Sequence, residues 1–489
     1  MTDLTLAPPP SAAFDRFAAA PPLAIAGGLV AGLLLTAGYA LQPLWWTPWL
    51  APIAMLAVCR TERDARVAGS VAGAAAMLAV WSYYVAQIGW GVALAITALR
   101  IGGWRLSARL ALIAARRRPL WLAALVLPAS QAGFEVATLT LSSHGAAESL
   151  AYSQMAHPAL VQVASLGGVS AVVFLVLLPG SLAGLWFALR PTRRDALAAL
   201  ACVCAIGLAA TAWTAVAFHA VASAPRMRVA LVATDELPGI PTDWGRVWSA
   251  YRPAVLSVER GTALTVLPEK VARLDMTAIP RVERDVARAA RAVGTTIVVG
   301  LEVRDRIGER GRALAMDPAG RAIWYDKQRL LPGFEDRDRP GHTPVTIGVA
   351  GAIVGLAICK DMHIPSIGRE YRGVSVMAVP AWDFGRDGWM GARMTALRAV
   401  ENGYAVARSA REGRLGAYDP AGRAIVERST TARAMVVAAD LPMGVRPTLY
   451  ARVGDLFGWA CLVATTLLLV MSGWTPRGRG EDGMPAKRR

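Results

Sequence analysis

Residues 354–361 read Val-Gly-Leu-Ala-Ile-Cys-Lys-Asp, an apolar run that ends in a cysteine followed by two charged residues. A short apolar run of this kind predicts a buried β-strand. In α/β folds the ends of strands are where reactive side chains are presented. Cys359 is also the one cysteine of five that lies outside the long apolar segments. We therefore take Cys359 as a candidate nucleophile, with an inert buried thiol as the alternative.

Two further strand ends, N-terminal to Cys359, carry residues that a thiol nucleophile could use. Glu269 follows an apolar run and one proline, and Lys327 follows the run 323–326. A thiol nucleophile needs a base for its proton and a cation or donors for the oxyanion. His342 and His363 are weaker candidates for the base, because one lies in a Pro/Gly-rich loop and the other lacks an evident orienting partner. Taken singly, Glu269 and Lys327 fit exposed loop charges better than catalytic groups.

The block around these residues, about 225–450, alternates between strand and helix patterns. Residues 226–234 predict a buried strand, and residues 244–260 predict a helix. The turn Pro318-Ala319-Gly320 lies between two short strand patterns and predicts a hairpin. Alternating strands and helices with interspersed hairpins favour a layered α/β domain.

The rest of the chain has the composition of a membrane protein. Of its 489 residues 55% are apolar and only 18% charged, and the mean hydropathy is +0.40. Residues 17–59 and 67–99 contain no charged residue. Because one span needs about 20 apolar residues, each of these runs predicts two spans, and the fourth span continues past Arg100. Four more are predicted, which makes eight: 119–138, 165–189, 195–222 and 454–474.

The loop charges predict the orientation of these spans. Arginines and lysines follow the second, fourth, sixth and eighth spans, whereas the loops near 41–50, 84–90 and 139–164 contain none. Positive loops face the cytoplasm, so both termini are expected inside and the block 225–450 on the outer face. This topology accounts for most of the net charge of +17, and a nucleic-acid partner is not expected.

Three elements in order resemble the nitrilase, or carbon-nitrogen hydrolase, superfamily. They are the strand-Pro-Glu that ends at Glu269, the stretch 325–335 (YDKQRLLPGFE), and Ile-Cys-Lys-Asp at 358–361. Together with the membrane spans, they resemble the bacterial apolipoprotein N-acyltransferases. The resemblance implies a multi-span α-helical membrane domain followed by an αββα sandwich. The implied domains are 1–224 with about seven transmembrane helices, 225–446 as the catalytic domain, 447–475 as a last transmembrane helix and 476–489 as a basic cytoplasmic tail.

The same resemblance implies a function and a set of site residues. Cys359 would be the nucleophile, Glu269 the acid and base, Lys327 an oxyanion stabiliser, and Glu335 a group that orients Lys327. Cys359 would take an acyl chain from a membrane phospholipid as a thioester and pass it to the N-terminal amine of a diacylglyceryl-cysteine lipoprotein. No cofactor or metal is implied. The expected state is a monomer in the inner membrane with a periplasmic catalytic domain.

The sequence departs from the family where the substrate is expected to bind. Lys360 stands where an aromatic residue usually follows the nucleophile, and the loop with Trp382 and Phe384 has a changed sequence. We expect these three residues to contact substrate. Two alternatives stay open: a membrane nitrilase-type amidase or acyltransferase with another acceptor, and a non-catalytic membrane scaffold.

Glu135 is a further candidate for substrate binding. It falls within the predicted fifth span, where a carboxylate is costly and is most often functional. A hydrogen bond to a neighbouring helix explains it equally well.

Overall fold

The computed structural model describes residues 21–444 and 446–473. The predicted basic tail 476–489 and residues 1–20 lie outside the described residues. The described chain has an N-terminal helical part, a central part with two β-sheets, and a C-terminal helix.

The helical part is a bundle built from consecutive helices. Four helices are long and apolar enough to cross a membrane: Pro22–Tyr39, Leu120–Leu141, Ala164–Leu189 and Arg193–Ala222. Shorter apolar helices occupy Thr47–Leu56 and Leu456–Met471. The remaining helices of this part are Glu62–Ala75, Trp81–Ile88 and Trp90–Arg117, with short 3-10 turns at Leu150–Gln154 and Pro158–Leu160. These helices identify a membrane protein, while the count of eight spans stays a prediction.

Two of these helices can be compared with the spans that the charge-free runs predict. Thr47–Leu56 has only ten residues, because the chain turns over residues 40–46 before it begins. Trp90–Arg117 continues through Arg100, as predicted. The Arg100 guanidinium is buried and pairs with Glu148 at 3.4 Å, so its charge is compensated within the helical part.

The central part contains two mixed β-sheets. In spatial order the first has β13 (Met435–Pro442), β1 (Arg226–Ala233), β2 (Leu264–Val266), β4 (Thr296–Arg304), β5 (Glu309–Met316) and β6 (Ala322–Asp326), with β3 (Arg273–Asp275) beside β4. The second has β12 (Ala424–Ser429), β11 (Arg414–Tyr418), β10 (Ala405–Arg411), β9 (Val376–Trp382), β8 (Ala352–Leu356) and β7 (Val345–Val349). The strands β1, β2 and β4 run parallel, as do β8, β9 and β10.

The two sheets pack face to face, with helices on both outer faces. Aliphatic side chains of both sheets, such as Leu231 and Val376, form one buried cluster between them. Trp244–Leu256 and Ile279–Val293 cover the outer face of the first sheet. Gly388–Asn402 covers the second sheet and shares a core with the membrane helices, near the short helices Pro365–Glu370 and Leu449–Val453. The predicted αββα sandwich is thus confirmed.

Gly300 in β4 lets the loop after β2 approach the sheet. A β-carbon at this position would lie 2.6 Å from Cα of Glu269 and 2.7 Å from the Pro268 carbonyl oxygen. The Gly300 amide donates to that same carbonyl at 3.0 Å. The backbone of Glu269 is therefore fixed by a contact that only glycine allows.

Candidate active site

Glu269, Lys327 and Cys359 follow the strands β2, β6 and β8, and all three line one cavity. The Glu269 amide donates to the Ala381 carbonyl at 3.1 Å, which ties the first sheet to the second. The Lys327 amide donates to the Gly311 carbonyl at 2.9 Å, which extends the pairing of β5 and β6. These two backbone hydrogen bonds fix the main-chain positions from which the Glu269 and Lys327 side chains enter the cavity.

Lys327 is buried between two carboxylates. Its Nζ lies 2.7 Å from Oε1 of Glu269, and 2.9 and 2.8 Å from the two carboxylate oxygens of Glu335. Burial alone lowers the pKa of Lys327, but Glu269 and then Glu335 outweigh it and raise that pKa well above its ordinary value. Lys327 is therefore a permanent cation at neutral pH.

Cys359 begins a 3-10 turn, Cys359–His363, in a strained conformation. Its φ is 42°, in the left-handed region that non-glycine residues rarely adopt. Its Sγ lies 3.6 Å from the Trp382 carbonyl oxygen. Burial and then the charge of Glu269 raise the pKa of the Cys359 thiol, and Lys327 lowers it by less. The resting thiol is protonated, so reaction at this sulfur requires a base.

Asp361 holds the nucleophile turn against the loop that carries Lys327. Its carboxylate accepts hydrogen bonds from the Ile358 amide at 2.9 Å and from the amides of Gln328 and Arg329 at 3.1 and 2.8 Å. The Tyr325 hydroxyl donates to it at 2.7 Å. Burial raises the pKa of Asp361 to about 6, even though these donors oppose the shift. This positioning role was not predicted from the sequence.

Lys270 is a second residue that sequence reasoning missed. It is buried, directly after Glu269, and its Nζ lies 2.9 Å from both Glu335 and Asp338. Glu335 thus bridges two lysines, Lys270 and Lys327, and also accepts from the Leu331 amide at 2.7 Å. Burial by itself raises the pKa of Glu335, but the two lysines outweigh it and lower that pKa. Both partners come from the acidic run 335–338, and nothing near Lys270 in the sequence points to that run.

Glu302, Glu309 and Asp338 bring carboxylate oxygens within 4.8 Å of one another, close enough to be considered for a metal ion. Each already has a cation: Asp338 has Lys270, Glu302 has Arg273 at 3.0 Å, and Glu309 has Arg304. The cluster therefore fits an internal network of ion pairs.

A second buried ion pair lies beside Cys359. The Arg408 guanidinium binds Asp383 through both terminal nitrogens, one of them at 2.9 Å. Asp383 also accepts from the Arg414 amide at 3.1 Å. A β-carbon at Gly413 would lie 2.1 Å from the Asp383 carboxylate, so this position requires glycine. The pair fixes the loop that follows Trp382.

Aromatic side chains line the cavity near the thiol. Trp382 and Phe384 stack with their ring centroids 4.9 Å apart, and Phe334 lies 5.3 Å from Phe384. The Trp382 indole N–H donates to Glu412 at 3.0 Å. These rings offer an apolar wall to a bound chain.

The cavity has a volume of about 700 Å³ and lies between the sandwich and the membrane helices. Its membrane side is formed by residues such as Tyr39, Tyr83 and Ile88. The Tyr83 hydroxyl donates to Asp387 of the sandwich at 2.8 Å and joins the two parts at the cavity wall. The volume lies within the range of small-molecule pockets.

Seven of the eight predicted site residues line this cavity: Glu269, Lys327, Glu335, Cys359, Lys360, Trp382 and Phe384. Glu135 is not among the lining residues. It lies in the helix Val126–Leu141, and its side chain is near Ser149 at the start of the turn Leu150–Gln154. Its position suits the alternative of a polar contact between helices, and a role in substrate binding stays a prediction.

Comparison with known families identifies the membrane part. Residues 31–182 match the apolipoprotein N-acyltransferase N-terminal domain. The match covers less than a third of the chain. The predicted resemblance to the apolipoprotein N-acyltransferases is thereby confirmed for residues 31–182.

Curated relatives carry the same name. An apolipoprotein N-acyltransferase of Geobacter metallireducens is 27% identical over 240 residues, 43% of this chain and 46% of the relative. Another, from Rhodopseudomonas palustris, is 35% identical over 109 residues, 20% of each chain. The chain thus spans less than half the length of these relatives.

Two similar solved structures each match less than half of this chain. An amidase from Nesterenkonia sp. has a TM-score of 0.40 and 22% identity, and the match covers 45% of this chain and 91% of the amidase. A CN-hydrolase superfamily protein from Xanthomonas campestris has a TM-score of 0.38 and 19% identity, covering 44% of this chain and 91% of its own.

Proposed function

We propose that the protein transfers an acyl chain from a membrane phospholipid to the N-terminal amine of a diacylglyceryl-cysteine lipoprotein. One observation carries the proposal. The cavity that holds Cys359, Glu269 and Lys327 is also lined by side chains of the membrane helices. A site of this kind can receive a lipid ester from the bilayer, which a tethered soluble amidase would not require. The domains 1–224, 225–446 and 447–475 serve as membrane platform, catalytic domain and final span.

In the first half-reaction Glu269 takes the thiol proton of Cys359 while Sγ attacks the ester carbonyl carbon of the phospholipid. The new oxyanion is stabilised by the ammonium of Lys327 and by the backbone N–H of Lys360. The bond from the carbonyl carbon to the glycerol oxygen then breaks. Glu269 returns the proton to that oxygen, so that a lysophospholipid leaves and a thioester remains.

In the second half-reaction the free α-amine of the lipoprotein attacks the thioester carbonyl. Glu269 accepts a proton from the attacking nitrogen and delivers it to Sγ as the carbon–sulfur bond breaks. An amide forms and the thiol is restored. Glu335 keeps Lys327 in place throughout, because both of its carboxylate oxygens bind the same Nζ that Glu269 binds.

The expected orientation places the catalytic domain at the periplasmic face of the inner membrane. Lipoproteins expose their diacylglyceryl cysteine at the membrane surface, so the cavity must lie near the outer headgroups. The Arg-rich loops on the opposite side support this orientation.

The proposal is tested by complementation of a strain depleted of its own N-acyltransferase. The wild-type chain should restore growth, and mass spectrometry of a model lipoprotein should find the added N-acyl chain. Cys359→Ala should do neither at equal membrane abundance. If the wild-type protein accumulates in the membrane and the lipoprotein stays diacylated, the proposal is wrong.

A different acceptor is the second candidate function. It is favoured by Lys360, a buried cation beside the nucleophile where the family usually has an aromatic residue. Under this alternative the purified protein forms the thioester from phospholipid but does not acylate a diacylglyceryl peptide. A protein that forms no thioester with any phospholipid would instead fit the scaffold interpretation.

A further inference from the structure

Three basic side chains that the proposed mechanism does not use line the cavity next to Cys359. Lys360 and His363 belong to the nucleophile turn, and His144 belongs to the loop after the helix Val126–Leu141. The two segments pack tightly, since the Ala146 amide donates to the His363 carbonyl at 3.0 Å. Gly145, with φ of 60°, allows this approach, because a β-carbon there would lie 2.6 Å from the same carbonyl oxygen.

None of the three has an acidic partner within the described residues. Lys360 is 2% exposed, and its Nζ donates only to the Leu330 carbonyl, at 2.8 Å. The imidazole rings of His144 and His363 take part in none of the side-chain hydrogen bonds or ion pairs found in residues 21–444 and 446–473. A buried ammonium with one neutral acceptor has hydrogen-bonding capacity left over.

The nearby carboxylates are already engaged. Glu335 binds two lysines and a backbone amide, as described above. Glu148 pairs with Arg100 at 3.4 Å. Neither is available to neutralise Lys360, so the cluster leaves a local excess of positive charge and of N–H donors.

The electrostatics of the cluster agree with this geometry. Burial and then Lys327 lower the pKa of Lys360 to about 8, which leaves its side chain mostly charged at pH 7. Burial and then Lys360 lower the pKa of His144 to about 4, and burial and Lys360 also lower the pKa of His363. At neutral pH both rings are uncharged, and each can donate one N–H.

We propose that Lys360, His144 and His363 bind the phosphodiester of the phospholipid acyl donor. This inference rests on the proposed function and names the part of the donor that the cluster recognises. Only a short glycerol segment separates the reacting ester of a phospholipid from its phosphodiester. The group that binds the phosphate must therefore lie beside the nucleophile, where these three side chains are found.

The other charged part of the cavity does not fit this role. Lys270, Arg273 and Arg304 also line it, but each is paired with a carboxylate. Arg337 lines it as well, without a carboxylate partner among the described residues, but it is exposed to water, whereas Lys360 is buried. An anion bound at the three paired cations would have to displace an existing partner. At Lys360 an anion would accept hydrogen bonds from N–H groups that have no other acceptor.

The test compares two acyl donors with the same acyl chain, a phospholipid and the corresponding diacylglycerol, which lacks the phosphate. The measured quantity is the ratio of their rates of Cys359 acylation in detergent micelles. Wild type should prefer the phospholipid. Lys360→Met should lower the ratio about 10–100-fold, the range for losing a hydrogen bond to a charged group. His144→Asn should lower it less, because that ring is uncharged.

Two variants serve as controls for this ratio. Lys360→Arg keeps the cation and should retain most of the preference. His157→Gln, at a histidine outside the cavity lining, should leave the ratio unchanged. An unchanged ratio in both Lys360→Met and His144→Asn would overturn the proposal. If neither donor acylates wild type, the proposed function fails, and the binding measurement below still decides the anion site.

Binding is measured on Cys359→Ala, which cannot turn over, with labelled phospholipid in micelles. Glycerophosphoethanolamine should compete, whereas inorganic phosphate at the same concentration should compete weakly. Equal or stronger competition by inorganic phosphate would show a site for free phosphate and overturn the lipid assignment. The proposal would also be overturned if adding Lys360→Met to Cys359→Ala did not weaken the binding of labelled phospholipid.

Discussion

The surroundings of Cys359 disfavour the deprotonated, thiolate form of its side chain. Its sulfur is half-buried beside the carboxylate Glu269, and both burial and that charge raise the pKa of the thiol. The proton must therefore move during the attack, to a base within reach. Lys327 offsets part of the negative charge, and it is itself kept charged by Glu269 and Glu335. In the proposed mechanism Glu269, Lys327 and Cys359 act in the same step, so removing any one of them should slow that step.

The first prediction concerns the proposed base and the proposed oxyanion stabiliser. Glu269→Gln should slow acylation of Cys359 by about 10²–10⁴-fold, the range for a positioned general base. Lys327→Met should slow it by about 10²–10³-fold, the range for one oxyanion donor. Thioester accumulation from labelled phospholipid measures both. If either variant is folded and inserted in the membrane and still acylates Cys359 at the wild-type rate, the replaced residue has no part in the mechanism.

The second prediction concerns pH and follows from Lys360. Its side chain is charged below about pH 8 and loses its proton above it, so kcat/KM for a phospholipid donor should fall as the pH rises through about 8. Diacylglycerol should not show this decline. The ionisable groups that act on Lys360 are Lys327, Glu335, Cys359, Arg329, His144 and His363.

Lys360→Arg provides the control for the pH prediction. Because arginine stays charged throughout this range, the decline of the phospholipid rate above about pH 8 should disappear in this variant. A decline of the same size in Lys360→Arg would assign the titration to another group.

At the scale of elements, the site depends on how closely the ends of strands from two sheets approach each other. Glu269 follows β2 of the first sheet and Cys359 follows β8 of the second. The loop after β2 packs directly on Gly300 of β4, and Pro380 of β9 lies against the same point. The position of Glu269, the proposed base, is therefore set by backbone packing between the sheets.

The third prediction tests this packing with Gly300→Ala. The added methyl would lie 2.6 Å from Cα of Glu269, so the loop must shift. We expect a loss of about 1–3 kcal/mol in the free energy of unfolding, as for other overpacked sites, together with slower acylation. Gly348→Ala in β7 is the matched control, because its β-carbon would meet no atom within 4 Å. Equal behaviour of the two variants in melting and acylation assays would contradict the account.

Much of this architecture could be predicted from the sequence, because each catalytic candidate follows an apolar run that forms a strand. The predicted strand 226–234 corresponds to β1, and the predicted hairpin around Pro318 corresponds to β5 and β6. The predicted helix 244–260 ends earlier, at Leu256, where Ser257 caps the last turn. Local sequence patterns predict an element correctly where its apolar residues are also the ones that become buried.

Other features depend on partners far away in the chain and left no local signal. Lys270 pairs with Asp338, 68 residues later, and without that partner it looks like a loop charge. The three-residue strand β3 exists because it pairs with β4. The cluster of Lys360 and His144 joins the sandwich to the membrane part, and sequence spacing cannot reveal such a contact.

At the scale of the whole molecule, the sandwich and the membrane helices share one core. Buried side chains run continuously from Leu35 and Leu177 in the membrane helices to Val400 and Val406 in the sandwich. Arg398 and Glu401 form a fully buried ion pair within this region. The cavity therefore has a fixed position relative to the membrane helices, as a donor entering from the bilayer requires.

The fourth prediction tests the orientation of this unit. A reporter that is active only in the periplasm should be active when fused after Pro225 and inactive when fused after Arg489, because the Arg-rich loops are retained inside. A cytoplasmic reporter should give the opposite pattern. Reversed activities would place the catalytic domain away from lipoprotein substrates.

The most direct test of the central claim is mass spectrometry of the peptide that contains Cys359, after incubation of the purified protein with a phospholipid of defined acyl chains. We predict one added acyl group on Cys359. A diacylglyceryl-cysteine peptide should remove it and become N-acylated, and Cys359→Ala should carry none. A folded wild-type protein that gains no acyl group on Cys359 from any membrane phospholipid would contradict the account.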